Sequence, residues 1–500
     1  MLKSATPEAT KLYSKKYETL NYEHLGQTNL SVSQAGFGGY RVHISVDEHR
    51  QALEYALTHG INLIDTSSNY ANGGSEELIG AAFKNLSEEK KLKRDEIVIV
   101  SKVGYLQGQN FQLSQQLKQQ GKPFPDLVEY GSGLEHCIHP DFLADQLTRS
   151  LNRLQMKTID VYLLHNPEYY LLWAHKQGMD LEEARTEYYR RIEQAFMQLE
   201  IEVQNGRIQF YGISSNTFPI PSKHYDFTSL EKVWDIAESI SKNHKFRVVQ
   251  MPMNLFETGA ATEPNLSDNQ SPLKFAEIKK IAVLVNRPLN AFSGNHMKRL
   301  VTLETSVEFD QDALQEKFSQ IVNMESDFVS NILPVLNADE DTQKKFSGYF
   351  SSGSYLSTNW QKLGPYWQWI ESQALFLTDQ ISHAVQQVND LPDKSKETIK
   401  WLDDYVELFN TLLGYLTLYL GEKISKENKI HFDKIKDINK VLNKCESLQE
   451  LALSALLNSD GVTTTLVGMR RKEYVQDVLN ILKQSKINLP KDFWINTNKQ

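Results

Sequence analysis

The sequence predicts an α/β fold: a (β/α)8 TIM barrel with an N-terminal β-hairpin and a large α-helical insertion between strand 7 and helix 7. Three observations lead there. From Leu30 onward, short runs rich in β-branched residues alternate with amphipathic helical stretches, as in a parallel sheet flanked by helices. The runs number eight, which is what closes a barrel. Residues 293–445 then carry helical stripes that such a barrel does not need.

Residues 1–18 are basic without an apolar core of signal-peptide length, and the expectation is a flexible tail. Residues 22–33 read as a hairpin, with Gln27 to Asn29 as its polar turn, placed to plug the barrel bottom. The strands are expected at 33–39, 61–67, 96–102, 160–165, 209–215, 247–252, 281–286 and 463–469. The helices between them place apolar residues three and four apart, as in Phe142, Leu143, Leu147, Leu151 and Leu154, or Ile192, Phe196, Leu199 and Val203. One face of each packs on the sheet. The barrel therefore takes 19–292 and 446–490.

Within the insertion three stripes stand out: Leu314 to Ile332, Leu363 to Val385 and Ile399 to Leu420, with a fourth helix expected at His431 to Leu442. That is enough for a small bundle with its own core. Two further interruptions, 106–134 and 166–184, leave from the C-termini of strands three and four, the end of a barrel where sites are built.

Composition excludes several classes of function. A formal charge of -9 with no Lys/Arg stripe argues against nucleic acid. Cys137 and Cys445 are the only cysteines, too few for a disulfide framework or a cysteine metal site, so a cytoplasmic home and no metal are expected. The most apolar run, Leu412 to Leu420, is about half the ~20 residues of a spanning helix, and no membrane contact is expected.

Chemistry concentrates at the ends of strands two, three and four. Asp65 and Tyr70 lie in DTSSNY, Lys102 in SKVGY and His165 in LLHNPE. Each has an ordinary structural reading on its own, as a cap, a packed ring, a solvated cation or a core imidazole. Successive strand ends of a closed barrel converge on one axis, however, so the four meet at the mouth. Such a set suits reduction of a carbonyl by hydride, in which the oxygen gains negative charge and needs a proton. Tyr70 is the acid, Lys102 is expected to lower its pKa, Asp65 to hold the ammonium, and His165 to donate to the carbonyl oxygen.

In these motifs the sequence resembles the aldo-keto reductases, over about 22–292 and 448–484. HLGQTNLSVSQAGFGG and GINLIDTSSNYANGGSEELIGAAF carry the likeness, including the spacing from Asp65 to Tyr70. The resemblance implies an NADP(H)-dependent oxidoreductase acting on an aldehyde, ketone or sugar, or on the corresponding alcohol, with NADPH/NADP+ as cofactor. It places the nicotinamide against Ser214, Ser215 and Gln250, and puts Asn286 and Arg287 where many members carry a stacking aromatic. Gly468, Met469, Arg470 and Arg471 fall at the loop and helix start that take the ribose 2′-phosphate, where backbone N–H groups and two guanidiniums suit an anion, and Tyr474 falls where a family Arg often stacks on adenine. Tyr40, Tyr105 and Phe256 are the candidate substrate pocket. Some members are channel-associated subunits, so the other reading is a nicotinamide-binding regulatory or scaffold module that binds a protein partner through the inserted helices.

Overall fold

The computed structural model describes residues 4–293, 296–303, 308–392 and 395–498, and the chain divides into two compact units, Met1–Ala291 with Ile438–Gln500, and Phe292–Asp437. The first holds a hairpin, β1 (Tyr22–His24) against β2 (Ser31–Ser33), and the barrel strands β3 (Ala35–Gly38), β4 (Leu63–Asp65) and β5 (Val98–Val103). A small antiparallel sheet follows, β6 (Tyr105–Leu106), β7 (Val128–Gly131) and β8 (Leu134–His136). The barrel resumes with β9 (Ile159–His165), β10 (Ile208–Ser214), β11 (Phe246–Pro252) and β12 (Ala282–Asn286). After β13 (Asn290–Ser293) and β14 (His296–Arg299), strand β15 (Thr464–Val467) closes it in the order β10-β11-β12-β15-β3-β4-β5-β9. All eight expected strands are present.

Side chains alternate across each strand, so one residue in two faces the barrel axis. The inward rows are apolar near the bottom: Leu63, Val98 and Val100, Val161 and Leu163, Val248, Ala282 and Leu284, and Leu466 form one cluster with Leu25, Leu30 and Val32 of the hairpin. The hairpin thus closes the bottom. Continuing the same rows upward by two residues reaches Asp65, Lys102, His165, Gln250 and Asn286. An apolar floor beneath a polar rim is therefore written into strand parity.

The tail expectation is corrected. Residues 1–18 contain helix α1 (Pro7–Lys16), which starts with Pro7 in its first turn and the Thr6 side chain accepting from the Ala9 N–H at 3.2 Å. It is docked, with the buried Tyr13 hydroxyl donating to the Leu57 carbonyl at 2.6 Å. Ahead of it, the Ala5 N–H donates to Asp160 Oδ1 at 2.7 Å. That carboxylate, at the start of β9 and 0% exposed, also accepts from Gln209 Nε2 at 2.7 Å, Arg94 Nη2 at 2.8 Å and the Ile99 N–H at 2.7 Å. A basic-looking composition hid this anchor because one buried acid on a distant strand supplies it. Asp160→Asn keeps the shape but turns an amide N–H at a donor; we expect a loss of about 2–3 kcal/mol in urea unfolding, and an unchanged midpoint would refute the anchor.

The flanking helices of this unit are α2 (Asp47–Thr58), α3 (Gly74–Glu88), α4 (Gly108–Gln119), α5 (Pro140–Leu154), α6 (Tyr169–Lys176), α7 (Leu181–Gln204), α8 (Leu230–Ile240), α9 (Gly259–Thr262) and α10 (Pro272–Lys279). The two expected interruptions are ordered. The first is the small sheet with α4, and the second carries α6.

The second unit is helical: α11 (Gln311–Asp327), α12 (Glu340–Tyr349), α13 (Ser352–Asn359), α14 (Tyr366–Ser372), α15 (Thr378–Asp390) and α16 (Lys396–Ile438). Its core includes Leu314, Phe318, Ile321, Phe328, Trp401, Tyr405, Phe409 and Leu413. Glu325 is buried there and fully engaged, accepting from the N–H groups of Gly353 and Ser354 at 2.7 and 2.8 Å, the Ser354 hydroxyl, and the Tyr405 hydroxyl at 2.9 Å. The separate helix expected at His431 to Leu442 is not separate. Buried Ile424, Asn428 and Ile435 continue the stripe without a proline, so α16 runs for 43 residues and only a short turn, Lys440–Leu442, follows. Beyond it α17 (Leu448–Leu457) and α18 (Lys472–Leu482) return to the barrel unit.

Candidate active site

Asp65, Lys102 and His165 end up together because they occupy the inward rows of three strands paired side by side, β4, β5 and β9. Tyr70 comes from the loop after β4. Behind it, Ala71 (φ 48°), Asn72 (φ 58°) and Gly73 (φ 93°) form a left-handed run that folds the chain back into α3. Non-glycine residues pay roughly 1–2 kcal/mol for that conformation, a strain typical of functional sites. Asn72 Oδ1 accepts from the Gln109 N–H at 3.0 Å, which holds the turn against the start of α4.

The Lys102 ammonium has three protons, and each has a partner. Nζ lies 2.7 Å from Asp65 Oδ2, 2.9 Å from the Thr66 carbonyl and 3.1 Å from Tyr70 Oη. Because the ammonium donates to the phenol oxygen, the phenol's own proton is left to point elsewhere. Lys102 is 0% exposed. Burial lowers its pKa against the pull of Asp65, and burial raises that of Asp65 against Lys102 and Gln250.

The expected lowering of the Tyr70 pKa is corrected. Its pKa is raised well above the ordinary phenol value, first by burial and then by the Asp65 charge. The carboxylate that neutralises Lys102 cancels much of what the ammonium would do, and desolvation of a phenolate decides the sign. Tyr70 therefore stays protonated through neutral pH. The His165 pKa is held well below its ordinary value by burial and by the Lys102 charge, which leaves the imidazole neutral. Its Nδ1 is 3.1 Å from Ser67 Oγ.

A second layer extends the network. Gln250 Nε2 donates to Asp65 Oδ1 at 2.8 Å, and Gln250 Oε1 accepts from Ser214 Oγ at 3.1 Å and Asn286 Nδ2 at 3.3 Å. Asn286 Oδ1 is buried without a hydrogen-bond partner among the described residues. Ser215, one residue off the inward row, is not brought in. Its hydroxyl pairs with Thr217 Oγ1 at 3.1 Å. Arg287 (φ 56°) turns to Glu257, Nη2 to Oε1 2.8 Å.

Tyr40, Tyr105 and Phe256 differ in their placing. Tyr40 is 64% exposed with its ring edge-on to Tyr70 at 5.1 Å, and Tyr105 is edge-on to His165 at 4.8 Å. Tyr169, which sequence reasoning did not single out, continues this aromatic wall 5.1 Å from Tyr105. Phe256 follows β11, its N–H donating to Asn254 Oδ1 at 3.0 Å. Glu168 was also missed; buried three residues after His165, it accepts from the Asn216 N–H at 2.9 Å, and burial lifts its pKa to about 7.

At the far end, Gly468 is exposed, Met469 is packed in the core, and Arg471 occupies the N-cap position of α18 without a side-chain cap. Arg471 Nε lies 3.6 Å from Glu48, and its guanidinium is 6.0 Å from the half-exposed Tyr474 ring. Burial, and after it the nearby Arg470 charge, depress the pKa of His49. No helix among the described residues is long and apolar enough to cross a membrane.

The family model of the aldo/keto reductases matches residues 34–317, more than half of the chain. The chain belongs to that family. Among relatives of this aldo/keto reductase, a probable voltage-gated potassium channel subunit beta from Arabidopsis thaliana is 28% identical over 152 residues, 30% of this chain and 38% of the relative. A putative subunit of the same kind from Schizosaccharomyces pombe is 26% identical over 231 residues, 45% of this chain and 54% of the relative. The chain thus spans about half or less of these relatives' length. Among solved structures, an aldo-keto reductase of Bacillus halodurans in its holo form is 16% identical with a TM-score of 0.46, covering 96% of each chain.

Proposed function

We propose that this aldo/keto reductase is an oxidoreductase that exchanges hydride between NADP(H) and a small carbonyl or alcohol, with Tyr70 as general acid and base. The observation that carries this reading is the threefold engagement of the Lys102 ammonium by Asp65, the Thr66 carbonyl and Tyr70. A buried cation aimed at a phenol oxygen is of little use for packing. It does stabilise the phenolate that forms once the proton has left, while burial keeps the phenol neutral beforehand.

Ser214 and Asn286, whose Oδ1 is buried and open, suit the nicotinamide amide, and Arg470 and Arg471 at the start of α18 suit a 2′-phosphate. When bound, the reduced nicotinamide supplies the hydride. Tyr70 gives its proton to the carbonyl oxygen, His165 hydrogen-bonds that oxygen, Asp65 keeps Lys102 charged, and the aromatic wall keeps water away. In the reverse direction Tyr70 accepts the alcohol proton.

Assays of reduction and oxidation with NADPH and NADP+ over aldehydes, ketones and sugars test the reading, and no turnover on any class would overturn it. Cofactor choice is a separate expectation. Neutralising Arg470 and Arg471 together should weaken NADPH about tenfold or more while NADH changes less than about twofold, as read by fluorescence titration. Equal losses for the two nucleotides would remove the phosphate role.

A further inference from the structure

A carbonyl oxygen needs a donor from His165, and a neutral imidazole carries one proton on either of two nitrogens. If Nδ1 holds it, Nε2 is a bare acceptor and cannot help reduction. Something must choose. Among the described residues the ring makes one side-chain hydrogen bond, Nδ1 to Ser67 Oγ at 3.1 Å, with Ser67 0% exposed. Ser67 Oγ is in turn 2.6 Å from Asn69 Oδ1, and Asn69 Nδ2 is 3.1 Å from Gln107 Oε1. Four side chains thus form one line: Gln107, Asn69, Ser67, His165.

We propose that Ser67 and Asn69 are positioning residues that set the tautomer of His165 through this line. The serine hydroxyl has one proton. Spent on an Asn69 oxygen, it leaves Ser67 to accept from Nδ1–H, and Nε2 is bare. With the amides of Asn69 and Gln107 each turned by half a revolution, an Asn69 N–H donates to Ser67, Ser67 donates to Nδ1, and Nε2 carries the proton. The second polarity equips His165 to donate to the substrate oxygen, and the first leaves Nε2 unable to. A half-turn of an amide exchanges groups of nearly equal size, so the two polarities differ little in packing. The Lys102 carbonyl, 3.4 Å from Ser67 Oγ, is the remaining acceptor in reach among the described residues and is a weak competitor at that length. Because burial and Lys102 keep the ring neutral, the choice of tautomer is real at physiological pH.

The proposal rests on the oxidoreductase reading for its catalytic consequence, but not for its structural one. Asn69→Asp offers only acceptors, so it locks Ser67 into donating away from the ring and forces the Nδ1–H tautomer. Ser67→Ala releases the ring and leaves both tautomers populated. The expected order is therefore distinctive: carbonyl reduction falls about three- to tenfold in Ser67→Ala and about a hundredfold in the nearly isosteric Asn69→Asp, with NADPH affinity unchanged in both. Imidazole ¹⁵N spectra at pH 8, assigned with His165→Asn, should show Nδ1–H in Asn69→Asp and a mixture in Ser67→Ala. Both variants must also melt near the wild type. The same tautomer in wild type and both variants, or full reduction by Asn69→Asp, would overturn the wire. A wild type that turns over no carbonyl would instead overturn the function, and the spectra would still decide the wire.

Discussion

Tyr70→Phe should lose roughly 10²- to 10⁴-fold in kcat and leave NADPH affinity within about twofold, since the hydroxyl acts on the reacting oxygen alone. The ring stays in place, edge-on to Tyr40 and, at 5.9 Å, to His165, so the variant removes one proton donor and little packing. It also frees one N–H of Lys102, which must then find water in the mouth. Phenol pKa gives a second signature. With Tyr70 held above its ordinary value, reduction by the wild type should show no loss from this group between pH 6 and 8. Stopped-flow hydride transfer in Tyr70→Phe at the wild-type rate would sink the role.

The barrel was legible because its signals are local and repeated. Each strand is a short apolar run, each helix has a stripe, and the count of eight leaves one closed topology. Parity carried the site nearly as far: Asp65, Lys102, His165, Ser214, Gln250 and Asn286 fall on inward rows once the strands are placed. Ser215 shows the limit, since a strand boundary uncertain by one residue moves a side chain to the other face, and here it faces Thr217.

Long-range partners were not legible. Nothing near Ala5 announces that Asp160 will hold it, and nothing in DTSSNY says that Ser67 will reach across to His165, 98 residues away. The sign of the Tyr70 shift was missed for a related reason. It depends on how deeply the whole cluster is buried, and no motif states that.

The coupled pair at the centre yields the other large effect. Lys102→Met leaves the Asp65 carboxyl buried with only Gln250, among the described residues, donating to it, at 2.8 Å, and Asp65→Asn leaves a buried ammonium without its counter-ion. Each single change should cost about 3–5 kcal/mol, because an uncompensated charge remains inside. Removing both charges removes that penalty, so Asp65→Asn with Lys102→Met should recover to within about 2 kcal/mol of the wild type. Turnover should not recover: kcat stays roughly 10²-fold or more below wild type, since no cation faces the Tyr70 oxygen. The pH dependence follows from linkage. In Lys102→Met the Asp65 carboxyl, already raised by burial, loses the charge that opposed the rise, so its folded-state pKa climbs further above the unfolded value. The folded form then binds the extra proton, and the variant should be least damaged in acid and lose stability as pH rises from the ordinary carboxylate range through the raised pKa. Urea midpoints at pH 5 and 8 with paired kcat values separate the outcomes. A double variant that regains turnover would mean the Lys102 charge serves stability alone, and one that stays as unstable as the singles would mean the pair is not coupled.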